Sequence, residues 1–387
     1  MILGTVEASD IEFAKGSISD LGGFDSTTQN DHGGQKIPGQ YIIVFNDSVD
    51  HPAATASSQA RENNGDIRFV YRHALKGYSA KLPDAAVEAL SKDPRVSYIE
   101  PDVVGGIAAQ TTPTGIKRIF ATANKTLALN EQDDIRVEAD VAVLDTGIDY
   151  KHTDLNVVAR TDCSKGATKH SECIDESGAA GSHGTHVAGT VAAIDNGAGV
   201  TGVAPGARLW GVQVLDPAGS GELSEFIAGI DWITFHASEI EVANASLRYF
   251  TTSSSAFSAA IKAAIEAGIV FVVAAGNEDE PVKYIPGNYS DAITVSALED
   301  FDGQSGGKAG SSLCRELYEF ELLEAGLGTA ADDSLANFSN YGGTVDIAAP
   351  GVCIRSTVPS GGYEEVDPFG QTWSGTSMAA PHVAGAA

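Results

Sequence analysis

The residues with the clearest chemical potential lie in the stretch 375–385, G-T-S-M-A-A-P-H-V-A-G, close to the end of the 387-residue chain. A Gly-Thr-Ser turn leading into small residues predicts a strand-to-helix junction. Ser377 then falls in the first helical turn, and Pro381 is tolerated because early amides lack intrahelical partners. A hydroxyl so placed is a weak nucleophile until a base takes its proton and donors stabilise the oxyanion it creates. Three other stretches can supply those groups. Residues 141–149, V-A-V-L-D-T-G-I-D, read as an apolar strand ending in Asp145 and turning on Gly147. Residues 183–190, H-G-T-H-V-A-G-T, open a helix with His183 at its mouth. Residues 270–278, V-F-V-V-A-A-G-N-E, form a buried strand ending in Asn277, whose amide can donate. An Asp, a His, a Ser and a donor Asn at strand ends and helix starts make up the constellation that acyl transfer needs. Ser374 competes with Ser377, and the Gly-Thr-Ser turn favours Ser377.

The order Asp, His, Ser with the motifs DTGID, HGTHVAGT, AAGNE and GTSMAAPHVAG resembles the subtilisin-like serine proteases (subtilases), on the proteinase K and subtilisin side of that family. The resemblance runs from about Ala108 to Ala387. It implies an Asp145-His183-Ser377 triad working through an acyl-enzyme, with Asn277 as oxyanion donor. Other histidines and carboxylates have plainer readings. Asp149 serves as a turn cap. His186 shares a helix face with His183, but no carboxylate or third His stands at ligand spacing for a metal. His152 and His382 read as packed or hydrogen-bonded scaffold residues.

The elements that must position these groups follow from the alternation of strands and helices at 209–215, 224–237, 241–247, 254–267 and 269–274. Such alternation predicts an α/β domain, a mostly parallel sheet with helices on both faces and catalytic groups at strand ends. By the resemblance, substrate main chain binds between Gly219, Ser220 and Gly221 on one side and Ser246, Leu247 and Arg248 on the other, as ladder hydrogen bonds that ignore sequence. Leu215, Leu223, Phe226 and Leu247 are expected to line an apolar pocket for the residue four positions before the cut. Where most relatives carry two glycines this chain has Arg248 and Tyr249. Arg248 is expected to narrow the first pocket or to offer a charge to an acidic residue, with Tyr284 on another wall.

Residues 38–105 read as a second unit of βαββαβ order, a small α+β open-faced sandwich. The stretches LKGYSAKL and VSYIEPD resemble the inhibitor I9 type of subtilase propeptide. Such segments assist folding and then lie across the cleft with a product-like tail, so the chain's own propeptide is an expected partner. Self-cleavage is expected near Ile107 and Ala108, within a flexible stretch at 105–119. The loop 194–200, I-D-N-G-A-G-V, looks like the strong calcium loop of bacterial subtilisins. Carried over, side-chain oxygens of Gln110, Asp154 and Asn196 and carbonyls of Ile194, Ala198 and Val200 hold a structural Ca²⁺. A glycine-rich turn without an ion is the alternative, and no cofactor enters the chemistry.

Composition bounds the rest. A formal charge of −28 disfavours nucleic acid as a partner, and no run of eighteen apolar residues predicts a membrane span. Four cysteines allow three pairings. Cys163 with Cys173 and Cys314 with Cys353 are the expected bonds, against the reading of four free thiols, and they suit a secretory compartment. Residues 1–37 read as a flexible segment without a signal peptide, and the true start is expected to be missing. Residues 106–387 are taken as the catalytic domain, expected to be truncated because the chain stops inside a buried helix. An insertion at 301–333 carries an amphipathic helical pattern and is expected to be a solvated surface feature. The expected protein is a monomeric zymogen cutting proteins or peptides. The competing reading is an inactive relative working as a binding or folding-helper module.

Overall fold

The computed structural model of the chain describes residues 36–107, 114–127, 129–130, 132–164, 172–175, 178–307 and 309–387. Its first unit runs β1 (Lys36–Phe45), α1 (Pro52–Glu62), β2 (Asp66–Tyr71), β3 (Gly77–Lys81), α2 (Asp84–Leu90) and β4 (Val96–Ile107). β1 lies between β3 and β4, and β2 flanks β3, all antiparallel. Alternating residues of these strands, among them Ile43, Phe45, Val70, Tyr78 and Ala80, close a small core against α1 and α2. Lys36 and Ile37 lie in β1, although the composition of 1–37 predicts a flexible segment. The boundary moves because Lys36 pairs with Val103 across the sheet.

The second unit is organised by six parallel strands. These are β5 (Asp140–Asp145), β6 (Val157–Asp162), β8 (Arg208–Gln213), β10 (Val242–Ala245), β12 (Val270–Ala274) and β13 (Ile293–Glu299). They run in the order β13-β12-β10-β5-β8-β6. Short edge strands β7 (Ile174–Asp175), β14 (Ser334–Leu335) and β15 (Ile347–Pro350) complete a nine-stranded sheet. Every residue of β5 is buried, as both faces of a covered parallel sheet demand. After a one-turn α3 (Gly115–Arg118), helices α5 (Leu223–Phe235) and α6 (Ser255–Glu266) cover one face. Helices α4 (Ser182–Ala192), α7 (Leu313–Ala325) and α8 (Thr376–Ala384) cover the other. Each buried large aliphatic or aromatic side chain contributes about 1.5–3 kcal/mol, which makes these two layers the rigid floor of the site.

The two units share a sheet edge. β4 does not stop at residue 105, where the unit was expected to end. It continues through Gly105, Gly106 and Ile107 and enters between β9 (Ser220–Glu222) and β11 (Leu247–Tyr249), antiparallel to both. The expected flexible stretch is therefore ordered as far as Ile107, because both edges satisfy its amides and carbonyls. The insertion holds the amphipathic helix α7. Cys314, Tyr318 and Leu322 face inward, while Leu313, Phe320 and Leu323 are exposed. Disulfides join Cys163 to Cys173 and Cys314 to Cys353.

Candidate active site

Asp145 closes β5 with its carboxylate fully buried. The Thr146 amide donates to Oδ1 at 2.7 Å, and His183 Nδ1 lies 2.8 and 2.9 Å from the two carboxylate oxygens. That approach depends on Gly184, where a Cβ would meet the Gly147 carbonyl oxygen at 2.4 Å and the Asp145 Cβ at 3.1 Å. The other ring nitrogen of His183, Nε2, is buried and has no hydrogen-bond partner among the described residues.

Ser377 is the second residue of α8, and its hydroxyl donates to the Ser246 carbonyl at 3.2 Å. Pro381 lies deeper in the helix than the first-turn rationale allows. It supplies no amide to the Ser377 carbonyl four residues back, and the Ser246 hydroxyl takes that carbonyl instead, at 2.7 Å. Proline thus leaves the serine turn tied to Ser246, which immediately follows β10. Asn277 follows β12. Its Oδ1 accepts from the Thr376 amide at 2.8 Å and the Thr376 hydroxyl at 3.0 Å, which fixes the flip of the side chain. Its Nδ2 is buried without a partner among the described residues. Leaving a buried donor unpaired costs about 1–3 kcal/mol, so such groups are rare outside functional sites.

The cleft beside these groups holds the end of β4. Ile107 is opposite Leu247, Gly106 opposite Arg248 and Ser220, Gly105 opposite Tyr249 and Gly221. Gly219 turns at φ +84° before this edge. The expected cut at Ile107 and Ala108 begins where description stops, since 108–113 lie outside the described residues. With the tail strand in the cleft, Leu215, Leu223, Phe226 and Leu247, the residues expected to line an apolar pocket, are covered. All four are buried in the main core, and the Tyr249 ring stacks on Phe226. Arg248 turns to Glu278 at 2.7 Å and lies over the Phe250 ring at 4.7 Å. Tyr284 packs edge-on against Phe250. Glu278 is in turn held by the Asn340 amide at 2.7 Å. Glu278, Phe250 and Asn340 were not legible as site residues, because their meeting depends on loops far apart in sequence.

Carboxylates bind the two units together. Glu100 accepts the Ser255 and Ala256 amides at 2.9 and 3.0 Å at the start of α6. Asp102 accepts the Ser224 amide at 2.9 Å and the Ser224 hydroxyl at the start of α5. Positive helix ends favour such anions. In the opposite direction, Asp231 of α5 accepts the amides of Arg72, His73 and Ala74. Arg68 pairs with Glu222 and Glu225 beside Asp102. Burial pushes the Asp102 carboxyl up to about 6 and raises Glu100 and Asp231 as well.

The loop after α4 brings Asp154, Ile194, Asn196, Ala198 and Val200 together. Ile194 donates its amide to the Asp154 carbonyl at 3.0 Å, and the Asn196 amide group donates to the Asp154 carboxylate at 2.7 Å. Gln110 lies outside the described residues. Among the described residues no Lys or Arg is ion-paired with Asp154, whose carboxyl is raised chiefly by burial. The Val200 amide also donates to this carboxylate at 3.4 Å and the Ala198 amide to Asn196 Oδ1 at 2.9 Å; the carboxylate, side-chain amide and carbonyl oxygens of this loop are hard donors of the kind calcium takes. A separate cluster, Asp300, Asp302 and Asp332, brings three carboxylates within 4.8 Å of one another at the base of the insertion, with Arg118 3.4 Å from Asp300. His186, stacked on Trp373 at 4.3 Å, is kept neutral by burial, and His382 is pushed down to about 4 by the same cause. Both are packed scaffold residues.

Comparison with known proteins agrees with this architecture. The subtilase family model matches residues 138–387, and the peptidase inhibitor I9 model matches residues 40–105. Subtilisin NAT from Bacillus subtilis subsp. natto is 36% identical over 90% of this chain and 79% of its own length. An alkaline protease from Alkalihalobacillus alcalophilus is 35% identical over 90% of this chain and 80% of its own. Among solved structures, fervidolysin from Fervidobacterium pennivorans, a keratinolytic enzyme related to subtilisin, matches with a TM-score of 0.63 at 26% identity. That match covers 92% of this chain, which spans 56% of the fervidolysin chain. No helix among the described residues is long and apolar enough to cross a membrane. Two matching models in this order, relatives at these identities and a cleft already holding the chain's own strand lead to one conclusion: the chain belongs to the subtilase family of serine endopeptidases, with an inhibitor I9 segment ahead of its catalytic domain.

Proposed function

We propose that the chain is an autoprocessed endopeptidase in which Asp145, His183 and Ser377 form the triad and Asn277 donates to the oxyanion. The observation that carries this reading is the pair of buried atoms without a partner among the described residues, His183 Nε2 and Asn277 Nδ2, each belonging to a side chain fixed at its other end. The Ser377 hydroxyl exchanges its bond to the Ser246 carbonyl for one to His183 Nε2, loses its proton and attacks the peptide carbonyl. Asp145 holds the ring in the tautomer that accepts at Nε2 and stabilises the imidazolium. Asn277 Nδ2 and the Ser377 amide take the developing oxyanion. His183 returns its proton to the leaving amine, and water then hydrolyses the acyl-enzyme.

Residues 38–105 act as the inhibitor, with the β4 tail lying as a product would. Asp154, Asn196 and the carbonyls of Ile194, Ala198 and Val200, together with Gln110, hold a structural calcium ion that braces the loop after α4. Two disulfides suit an oxidising, extracellular destination.

Mass spectrometry of the full chain, wild type beside Ser377→Ala, tests the reading. A cut next to Ala108 in wild type alone is expected. A folded wild-type chain that stays intact would favour an inactive binding module.

A further inference from the structure

One side chain of the catalytic unit passes beneath the tail strand. Gly105 is in register with Tyr249 on β11 and with Gly221 on β9. Directly opposed residues of antiparallel strands share a face of the sheet, so a side chain at 105 stands beside that of Tyr249. Tyr249 already fills that face. It is fully buried, its ring stacks on Phe226 at 5.5 Å and 20°, and its hydroxyl lies 3.5 Å from the Glu222 carbonyl oxygen. Glu222 belongs to the strand on the far side of the tail. Neighbouring strands are about 4.8 Å apart, so a side chain reaching from β11 to β9 must cross the position of residue 105. The far side offers no room either. A Cβ on Gly221 would come within 2.4 Å of the Val214 carbonyl oxygen and 2.8 Å of the Leu215 side chain. The row Tyr249, Gly105, Gly221 therefore accommodates one side chain, and the protein supplies it.

We infer that Tyr249 is a specificity-determining residue: it occupies the space that a substrate side chain would use opposite it, so the cleft takes glycine at that position and rejects branched or aromatic residues. The inference rests on the endopeptidase reading above and adds a substrate class to it, segments with glycine three residues ahead of an Ala at the cut. It also assigns a reason to Gly105 in the chain's own tail, which is a substrate of the same cleft during self-cleavage.

The test uses enzyme produced from the full chain and two peptides, V-V-G-G-I-A-A-Q, copying residues 103–110, and its twin with Leu at the position of Gly105. Wild type is expected to show a kcat/KM at least about tenfold higher on the glycine peptide, and Tyr249→Ala is expected to erase or invert that ratio. In parallel, Gly105→Leu in the full chain is expected to slow self-cleavage at least about tenfold, with recovery when combined with Tyr249→Ala. Equal rates on the two peptides with wild type, or a ratio unchanged in Tyr249→Ala, overturn the inference while leaving the protease reading intact. If Tyr249→Ala does not fold, Gly105→Leu decides alone: unimpaired self-cleavage overturns, slowing supports. Hydrolysis of neither peptide by folded wild type sinks both readings together.

Discussion

Two regions of the molecule bury carboxylates completely, and they do so on different terms. Asp145 is satisfied by Thr146 and His183, both inside the catalytic unit. Asp102 is satisfied by Ser224 across the boundary between the units, as Glu100 is by Ser254, Ser255 and Ala256. Ionised groups taken from water need partners of this quality to be tolerated. A charge satisfied within one unit keeps its partners through every stage of the protein's life. A charge satisfied across two units keeps them only while the units are joined. The catalytic centre is therefore built to persist, and the interface is built to be given up.

The largest effect that can break this contrast lies at the centre. Asn277→Ala removes one oxyanion donor and is expected to lower kcat by about 10²–10³ with little change in KM. A KM effect alone would place Asn277 in ground-state binding and move the oxyanion site elsewhere.

The interface predicts a pH dependence of its own. The Asp102 carboxyl has its pKa raised from 3.8 to about 6 by burial in the joined state. The joined state therefore binds the proton more tightly than the separated one. Its contribution to the association is complete below 3.8 and is lost as pH rises through about 6. Gln40, Arg68, Glu222 and Ser224 face the same carboxylate, and the raised Glu100 acts in the same direction. Amide exchange at Gly105, Gly106 and Ile107 in full-chain Ser377→Ala reads the opening of the tail. Its equilibrium is expected to increase at least about tenfold between pH 4 and pH 7.5, and Asp102→Asn to flatten much of that rise. Tighter closure at pH 7.5 would mean that the hydrogen bonds to Ser224 outweigh burial.

The smallest effect sharpens the comparison. Ser254 caps α6 by accepting the Phe257 amide at 3.0 Å, and Glu100 lies on the same helix end. Ser254→Ala should cost about 1 kcal/mol of stability. The loss measured by thermal unfolding should be larger in the zymogen than after removal of the propeptide, because the Ser254 hydroxyl also donates to Glu100 only in the former.

The motifs of the proposed active site were legible in the sequence for a local reason. Asp145, His183, Asn277 and Ser377 sit at strand ends and helix starts, and the glycines beside them mark close approach in the chain itself. The α/β alternation and the βαββαβ order were legible from periodicity. What escaped was register. Nothing near Tyr249 says that it will lie opposite Gly105 and beneath it, and nothing near Arg248 says that it will turn to Glu278. Pro381 was misjudged because its role depends on the Ser246 hydroxyl, a partner remote in sequence.

The continuity of β4 has a consequence in time. Cutting the chain after Ile107 removes a covalent link but leaves a strand hydrogen-bonded to β1 in one unit and to β9 and β11 in the other. The severed tail can leave, still paired with β1, only when its pairings with β9 and β11 open together, so bond cleavage and the onset of activity are separate events with separate clocks. The interval between them is set by how often that strand frays and by how soon another molecule cuts it while it is loose. A population of such zymogens would then switch on with a lag that shortens as the first active copies accumulate.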